Sequence, residues 1–276
     1  MSSFVRQGSE TISQDQRGLV AKRYKTITRA INSEFCNSIS DTQHSLYVGS
    51  YGRGTAIDTS DLDVLVQLPK AEYDRYDSMR GNGQSRLLQA VKNAILEVYP
   101  RTNVHADGQV VVLDFSDGMK FEVLPAFMKE DWYGNPLNEY TYPDTNMGGN
   151  WRSTNPKAEQ EAMKNRNVSS NGLLFDTCKH IRRVRDDYYR SYHLSGIVID
   201  SFVYDAIKDW HWCINGEAST QPAGTYEGKL LSHLNQIQPY DYMPFRLYAP
   251  GSKQLVDGDN SIVCLRKVLN YMANLA

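Results

Sequence analysis

Apolar positions in the first half of the chain switch between two periods, which predicts helices laid against a sheet. Val20, Tyr24, Ile27, Ile31 and Phe35 recur at steps of three and four between Gln14 and Phe35, one face of a helix. Ser45–Val48 reads as a short strand running into Gly49-Ser50. Leu62–Leu68 is rich in branched residues and is stopped by Pro69, the pattern of a strand. A second amphipathic helix carries Leu87, Leu88, Val91, Ala94, Ile95 and Val98, with Pro100 beyond its end. Gln109–Phe115 and Met119–Phe127 flank Ser116-Asp117-Gly118, a hairpin signal.

After Lys129 the pattern changes. Residues 130–155 are polar and aromatic, include Gly148-Gly149, and read as a long ordered loop. Asn155-Pro156 suits a helix start, because Asn caps and Pro fits the first helical position. Helices are then expected over Pro156–Arg166, Leu173–Tyr188, Val198–Ile214, Tyr226–Gln236 and Ser261–Leu275. The chain therefore divides into a sheet-bearing part (1–129), a connecting loop (130–155) and a helical part (156–276).

Composition narrows the class. The chain has 276 residues, 41% of them apolar, enough for a substantial core. Lys plus Arg number 30 against 32 acids, a formal charge of −2, which argues against a protein that coats long nucleic acid. A local basic pocket is compatible with that balance. The cysteines (Cys36, Cys178, Cys213, Cys264) lie far apart with no CxxC pair, so neither zinc nor a disulfide framework is indicated. The N-terminus has no apolar signal core and no stretch is long enough to span a bilayer. A cytoplasmic protein with no membrane attachment is expected.

The chemistry concentrates in Val48–Ile57 and Ser60–Val66. Asp61 and Asp63 stand two apart at the start of a strand, so both carboxylates leave the same face. Leu62, Val64 and Val66 take the other face. Carboxylates that converge in this way can share hard cations, and two-metal phosphoryl-transfer sites use such pairs. Gly49-Ser50 supplies a complement: glycine lets backbone N–H groups approach a phosphate, a helix starting there adds its dipole, and Ser50 can donate. Arg53 is expected on the rim. Glu122, inside the otherwise apolar Phe121–Leu124 run, is the third acid, sharing a face with Lys120 and Leu124. Two Mg²⁺ or Mn²⁺ ions need several such oxygen ligands. Taken singly these signals are weak. A DxD pair is usually a solvated strand end, Gly-Ser a turn, and a strand Glu an edge residue. Their order and spacing together are specific.

Those residues carry a resemblance. GSYGRGTAI, then SDLDVLV, then FEVLPAF looks like the DNA polymerase beta-like nucleotidyltransferase superfamily, whose hallmark is GS followed by DxD. Within it the chain resembles the bacterial cGAS/DncV-like nucleotidyltransferases (CD-NTases) over about residues 15–270, most sharply over 47–68 and 119–127. The resemblance implies an α+β fold: a palm of twisted mixed sheet and helices, a helical second lobe, and an active site in the cleft. The N-terminal helix would be placed to pack on both lobes. It implies an enzyme that joins ATP, GTP, CTP or UTP into a cyclic di- or trinucleotide with loss of pyrophosphate, using two Mg²⁺ or Mn²⁺ ions. The product would be a second messenger that switches on an effector in bacterial anti-phage (CBASS) signalling. A linear oligonucleotide synthase, a transferase acting on RNA or protein, and a non-catalytic nucleotide sensor are the competing classes. The absence of a zinc-binding insertion argues against direct DNA binding.

The resemblance also carries individual residues across. Relatives often have Asp as the third acid where this chain offers Glu122; the longer carboxylate still reaches a metal, and Asp114 on the neighbouring strand is the fallback. A cation on a second-lobe helix holds the donor triphosphate in relatives, which points to Lys179 and Arg182 in Cys178–Arg185. The competing reading is a solvated basic face. The next helix begins in relatives with Ser and an aromatic, which implies Ser201 near phosphate and Phe202 under the donor base. Against this, a Phe at that spacing is commonly core.

Overall fold

The structure is a computed structural model that describes residues 4–214 and 217–274. They divide into two compact units. Ser13–Gly52 and Thr59–Lys157 form a sheet unit; the described residues of Met1–Ile12, Arg53–Asp58 and Ala158–Ala276 form a helical unit.

The sheet unit opens with α1 (Gln14–Phe35), capped by the Ser13 side chain, which accepts from the Gln16 N–H. Then come β1 (Ser45–Tyr47), the single turn α2 (Gly49–Gly52) and β2 (Leu62–Gln67), followed by α3 (Lys70–Asp77) and α4 (Gly83–Val98). The remaining strands are β3 (Asn103–Asp107), β4 (Val110–Asp114), β5 (Lys120–Glu130), β6 (Pro136–Asp144) and β7 (Asn150–Thr154). Strand order is β1-β2-β5-β4-β3, with β6 on the far half of β5 and β7 beyond it. β2 and β5 pair in parallel; the other described pairs are antiparallel.

Strand periodicity divides the side chains between two faces. Leu62, Val64, Val66, Phe121 and Val123 meet Val20, Ile27 and Ile31 of α1 and Leu87, Leu88, Val91 and Ile95 of α4. Leu65 and Ala126 point to the opposite face, where they pack with Val48 and Tyr140. The expected loop over residues 130–155 is therefore corrected. It contains β6 and β7, which extend the sheet, and Tyr140 is only 1% exposed. The two strands turn through Asn146–Gly148. At Gly149, φ is +97° and a Cβ would lie 2.4 Å from Gln84 Oε1, so glycine is required there. Trp151 of β7 packs on Tyr73 and Phe127 and donates its indole N–H to Asp77 at 2.8 Å. Helix α3 was not expected: it buries Tyr76 alone, so it carries almost no apolar period.

In the helical unit α5 spans Pro156–Ser169, α6 Leu173–Tyr188, α7 Gly196–Ala206, α8 Thr225–Ile237 and α9 Ile262–Asn274. A two-stranded sheet, β8 (Arg246–Tyr248) and β9 (Leu255–Asp257), lies between α8 and α9 in sequence. Leu174, Cys178, Ile181, Ile199, Phe202, Val203, Leu230, Leu265 and Leu269 are among its core residues. Helix α7 stops well short of the expected Ile214. Lys208 takes a left-handed φ of +43°, and Trp212 leaves helical geometry to bond Ser170 O and, through its indole, Asp176. Leu275, the expected end of the last helix, lies outside the described residues. All of α1 falls in the sheet unit. Among the described residues no helix is long and apolar enough to cross a membrane.

If β6 is core rather than loop, truncating Tyr140 should be costly. Tyr140→Ala is expected to lower the unfolding free energy by about 3 kcal/mol, the scale for deleting a buried aromatic ring. A loop substitution away from packing stays within about 0.5 kcal/mol. Urea denaturation distinguishes the two values.

Candidate active site

The site is assembled at one end of the β2–β5 pair. Asp63 is the second residue of β2 and pairs in register with Glu122 of β5. In a parallel pair, register partners project on the same face, so the two carboxylates stand side by side. Asp61 directly precedes β2, and Lys120 opens β5, one step beyond the Leu62–Phe121 pairing. Asp61 is exposed; Asp63 and Glu122 are half-buried.

Gly49 borders this cluster. Its φ is +57°, and a Cβ there would lie 1.7 Å from Asp63 Oδ2. Any side chain would displace the carboxylate, which gives the glycine a steric reason independent of turn propensity. The Val48 N–H donates to Asp63 O at 2.8 Å and the Gly52 N–H to Val48 O at 2.9 Å, fixing the turn to the strand. Rings hold it from behind: Tyr24 of α1 stacks on Tyr47 at 4.2 Å, and Tyr47 meets Tyr51 at 4.8 Å. Ser50 lies half-buried in α2. The expected helix dipole is corrected here, because α2 is four residues long and only its backbone amides remain to favour an anion.

Strand alternation puts Lys120 on the face of Glu122, and the structure brings their side chains together. The Lys120 Nζ lies 2.5 Å from Glu122 Oε1 and 3.5 Å from Asp61 Oδ2. Burial works against the ammonium charge, but Glu122 and Asp61 outweigh it and raise the lysine pKa above its ordinary value. The period-two position before Glu122 was the available signal. Asp114, the fallback acid, lies opposite Lys120 on β4 and accepts from Asn103 Nδ2 at 2.9 Å. Among the described residues, no three His, Cys, Asp or Glu side chains are disposed to ligate one ion as they stand. The donor chemistry still fits a hard cation: Asp61, Asp63 and Glu122 offer carboxylate oxygens alone, and two of them already hold a positive charge.

The four residues expected on the helical unit fare differently. Arg182 is fully buried and holds Asp200 Oδ1 at 2.8 Å, with further bonds to the Cys178 and Gly196 carbonyls. Those partners take its donors inside the core, so the assignment to a triphosphate is corrected. Phe202 is 0% exposed among core residues, which removes it from beneath a base. Ser201 is buried, and among the described residues its hydroxyl has no hydrogen-bond partner, so it is not presented to a phosphate. Lys179 is half-buried and, among the described residues, makes no hydrogen bond or ion pair. On α6 it lies one turn from Phe175, whose ring abuts Gly54, and one turn from Arg183, which pairs with Asp58 at 2.6 Å. Lys179 thus shares the α6 face that holds the Arg53–Asp58 segment.

Arg53, expected on the rim, is 8% exposed and donates to Asp200 at 2.8 Å and to Glu159 at 3.0 Å. The Thr55 hydroxyl donates to the same Asp200 oxygen at 3.0 Å. Burial opposes the charge on Asp200; Arg182 and Arg53 outweigh it and hold the carboxyl below its ordinary pKa. For Glu159 burial prevails over Arg53, and the pKa is raised. Asp200 and Glu159 were missed in the sequence. An Asp inside the apolar run Ile197–Val203 was the available signal, since such a charge needs a partner.

The CdnE cyclic dinucleotide synthase of Elizabethkingia meningoseptica, solved with GTP and Apcpp, is similar at TM-score 0.64 and 13% identity. The alignment covers 96% of this chain and 99% of that one. The DncV cyclic AMP-GMP synthase of Vibrio cholerae is similar at TM-score 0.63 and 13% identity, over 95% of this chain and 84% of that one. The CdnG of Bradyrhizobium diazoefficiens, in complex with GTP, gives 0.64 and 12% over 96% and 86%. No curated protein matches the sequence. The mixed sheet with its flanking helices is the α+β fold of the DNA polymerase beta-like nucleotidyltransferases. A family description, the Second Messenger Oligonucleotide or Dinucleotide Synthetase domain, matches residues 3–167, and the chain belongs to that family.

The buried network makes a stability claim that separates Arg182 from substrate. Asp200→Asn leaves Arg53 and Arg182 without their shared counter-charge. It is expected to lower unfolding free energy by about 3–5 kcal/mol, the range for breaking one side of a buried pair. Denaturant titration at neutral pH reads this directly, and a loss below about 1 kcal/mol would show the network to be unimportant.

Proposed function

We propose that this chain is a cyclic oligonucleotide synthase, joining nucleoside triphosphates into a cyclic di- or trinucleotide with release of pyrophosphate. The observation that carries the reading is the pairing of Asp63 with Glu122 beneath Gly49, whose missing side chain leaves room for the Asp63 carboxylate. Family membership supports it, as does the likeness to a cyclic dinucleotide synthase solved with GTP and Apcpp and to a CD-NTase in complex with GTP.

In this reading Asp61, Asp63 and Glu122 would hold two Mg²⁺ or Mn²⁺ ions, which would supply positive charge at the reacting phosphate. Gly49 and Ser50 offer backbone and hydroxyl donors to phosphate oxygens. The ribose hydroxyl oxygen of one nucleotide bonds to the α-phosphorus of another as the bond to pyrophosphate breaks. Glu122 assists by taking the hydroxyl proton. Lys179 is the cation retained for the donor triphosphate, because Arg182 is committed to Asp200. The product would act as a second messenger that switches on a separate effector in bacterial anti-phage signalling.

Asp61→Asn combined with Asp63→Asn is expected to abolish product while leaving the fold intact, because these carboxylates carry charge rather than packing. The purified chain is incubated with all four labelled triphosphates and Mg²⁺, with circular dichroism checking the fold. Phosphatase-resistant product identifies a ring; phosphatase-sensitive product indicates a linear synthase, and none at all a sensor. EDTA should remove activity and Mg²⁺ or Mn²⁺ restore it. Near wild-type turnover by the folded double variant would end the proposal.

Lys179→Ala is expected to weaken triphosphate binding by one to two orders of magnitude for every base, the scale of losing a charge-assisted contact of about 1.5–3 kcal/mol. Arg182→Ala should instead lower the melting temperature. Equilibrium nucleotide binding at one salt concentration, beside thermal unfolding, separates the two. Unchanged affinity in Lys179→Ala would return that residue to a solvated face.

A further inference from the structure

The carboxylate cluster carries its own cation. Lys120 lies two residues before Glu122 on β5, and its ammonium bridges Glu122 at 2.5 Å and Asp61 at 3.5 Å. Its side chain is 34% exposed, so extension into water was open to it. It turns instead to the acids. Asp61, Asp63 and Glu122 gather at the neighbouring ends of β2 and β5, and unneutralised they would repel one another.

We propose that Lys120 is a resident counter-ion of the metal site: it neutralises Asp61 and Glu122 before metal loads, and metal binding displaces it. The inference rests on the reading of Asp61, Asp63 and Glu122 as metal ligands. A lysine suits the role because its charge sits at the end of a flexible four-carbon stem and can leave without moving the strand. The carboxylates are thereby kept assembled in the metal-free protein. The same contact lowers the site's affinity for a free divalent cation, which must compete with a tethered one. A cation arriving on a triphosphate brings phosphate oxygens as additional ligands and competes better. Metal loading is in this way coupled to substrate arrival.

The test is metal binding to the full chain without nucleotide. Mn²⁺ is titrated into wild type, K120Q, K120R and the Asp61→Asn/Asp63→Asn double variant, with free Mn²⁺ read by electron paramagnetic resonance. K120Q is expected to bind about tenfold more tightly than wild type, because a like charge and a competitor are both removed. K120R keeps the charge and should stay near wild type. Without metal, K120Q should melt below wild type, and saturating Mn²⁺ should raise its melting temperature by more than that of wild type. K120M carries the same comparison if K120Q does not fold. An affinity in K120Q equal to or weaker than wild type overturns the displacement and leaves the metal site standing. Wild type and K120Q that both bind no better than the double variant overturn the metal site, and the displacement with it.

Discussion

Like-charge repulsion among carboxylates at the ends of two parallel strands is the constraint around which the sheet unit is built. Asp63 and Glu122 meet because β2 and β5 run in parallel in one register. A slip of one residue would send Glu122 to the face where Phe121 and Val123 meet the helices. Register is held by that apolar face, so the packing of α1 and α4 determines where the acids stand. Gly49 allows Asp63 its position by having no side chain, and Lys120 supplies the charge that lets the acids stay close.

The helical unit solves the opposite problem. Its charges are buried rather than gathered at an edge, and they balance: Arg53 and Arg182 against Asp200 and Glu159. Each guanidinium spreads several donors over fixed acceptors, which a lysine cannot reproduce in the same geometry. Arg182 illustrates the result, bonding Asp200 and two backbone carbonyls at once. A cation so engaged and only 1% exposed is withdrawn from substrate, whereas Lys179 on the same helix keeps its ammonium outside that network.

What was legible in the sequence follows from how strongly each feature is written in one period. Helix α6 reads directly over Leu173–Tyr188, and the faces of α1 and α4 match their buried residues except at their last turns, where Phe35 is half-buried and Val98 is exposed. Alternation along one strand puts Asp61 and Asp63 on one face, whereas the meeting of Asp63 with Glu122 depends on the parallel β2–β5 register, which no local period shows. Strands β6 and β7 were hidden: Pro143 interrupts the first, Trp151 is the one apolar residue of the second, and Gly148-Gly149 mimics an open loop. The end of α7 was hidden too, since Trp210, Trp212 and Ile214 keep an apolar rhythm after the backbone has turned. Helical period tells which residues share a face but not whether that face meets water or core. That is why Arg182, Ser201 and Phe202 were assigned to ligand when their faces are interior. The partner that decides Arg182 is Asp200, 18 positions away, beyond the reach of any local pattern.

The stretch read as one motif serves two units. Gly49–Gly52 belongs to the sheet unit, while Arg53–Asp58 belongs to the helical unit before the chain returns at Thr59 for the DxD strand. Arg53 and Thr55 both donate to Asp200 Oδ2, and Asp58 pairs with Arg183, so the excursion is fastened near its start and at its end. The residues between Ser50 and Asp61 are therefore a fastened segment rather than a spacer. The interval between the Gly49-Ser50 turn and the Asp61–Asp63 pair contains a segment whose Arg53 and Thr55 neutralise and hold a buried aspartate of the helical unit, and a charge inside a core needs such partners.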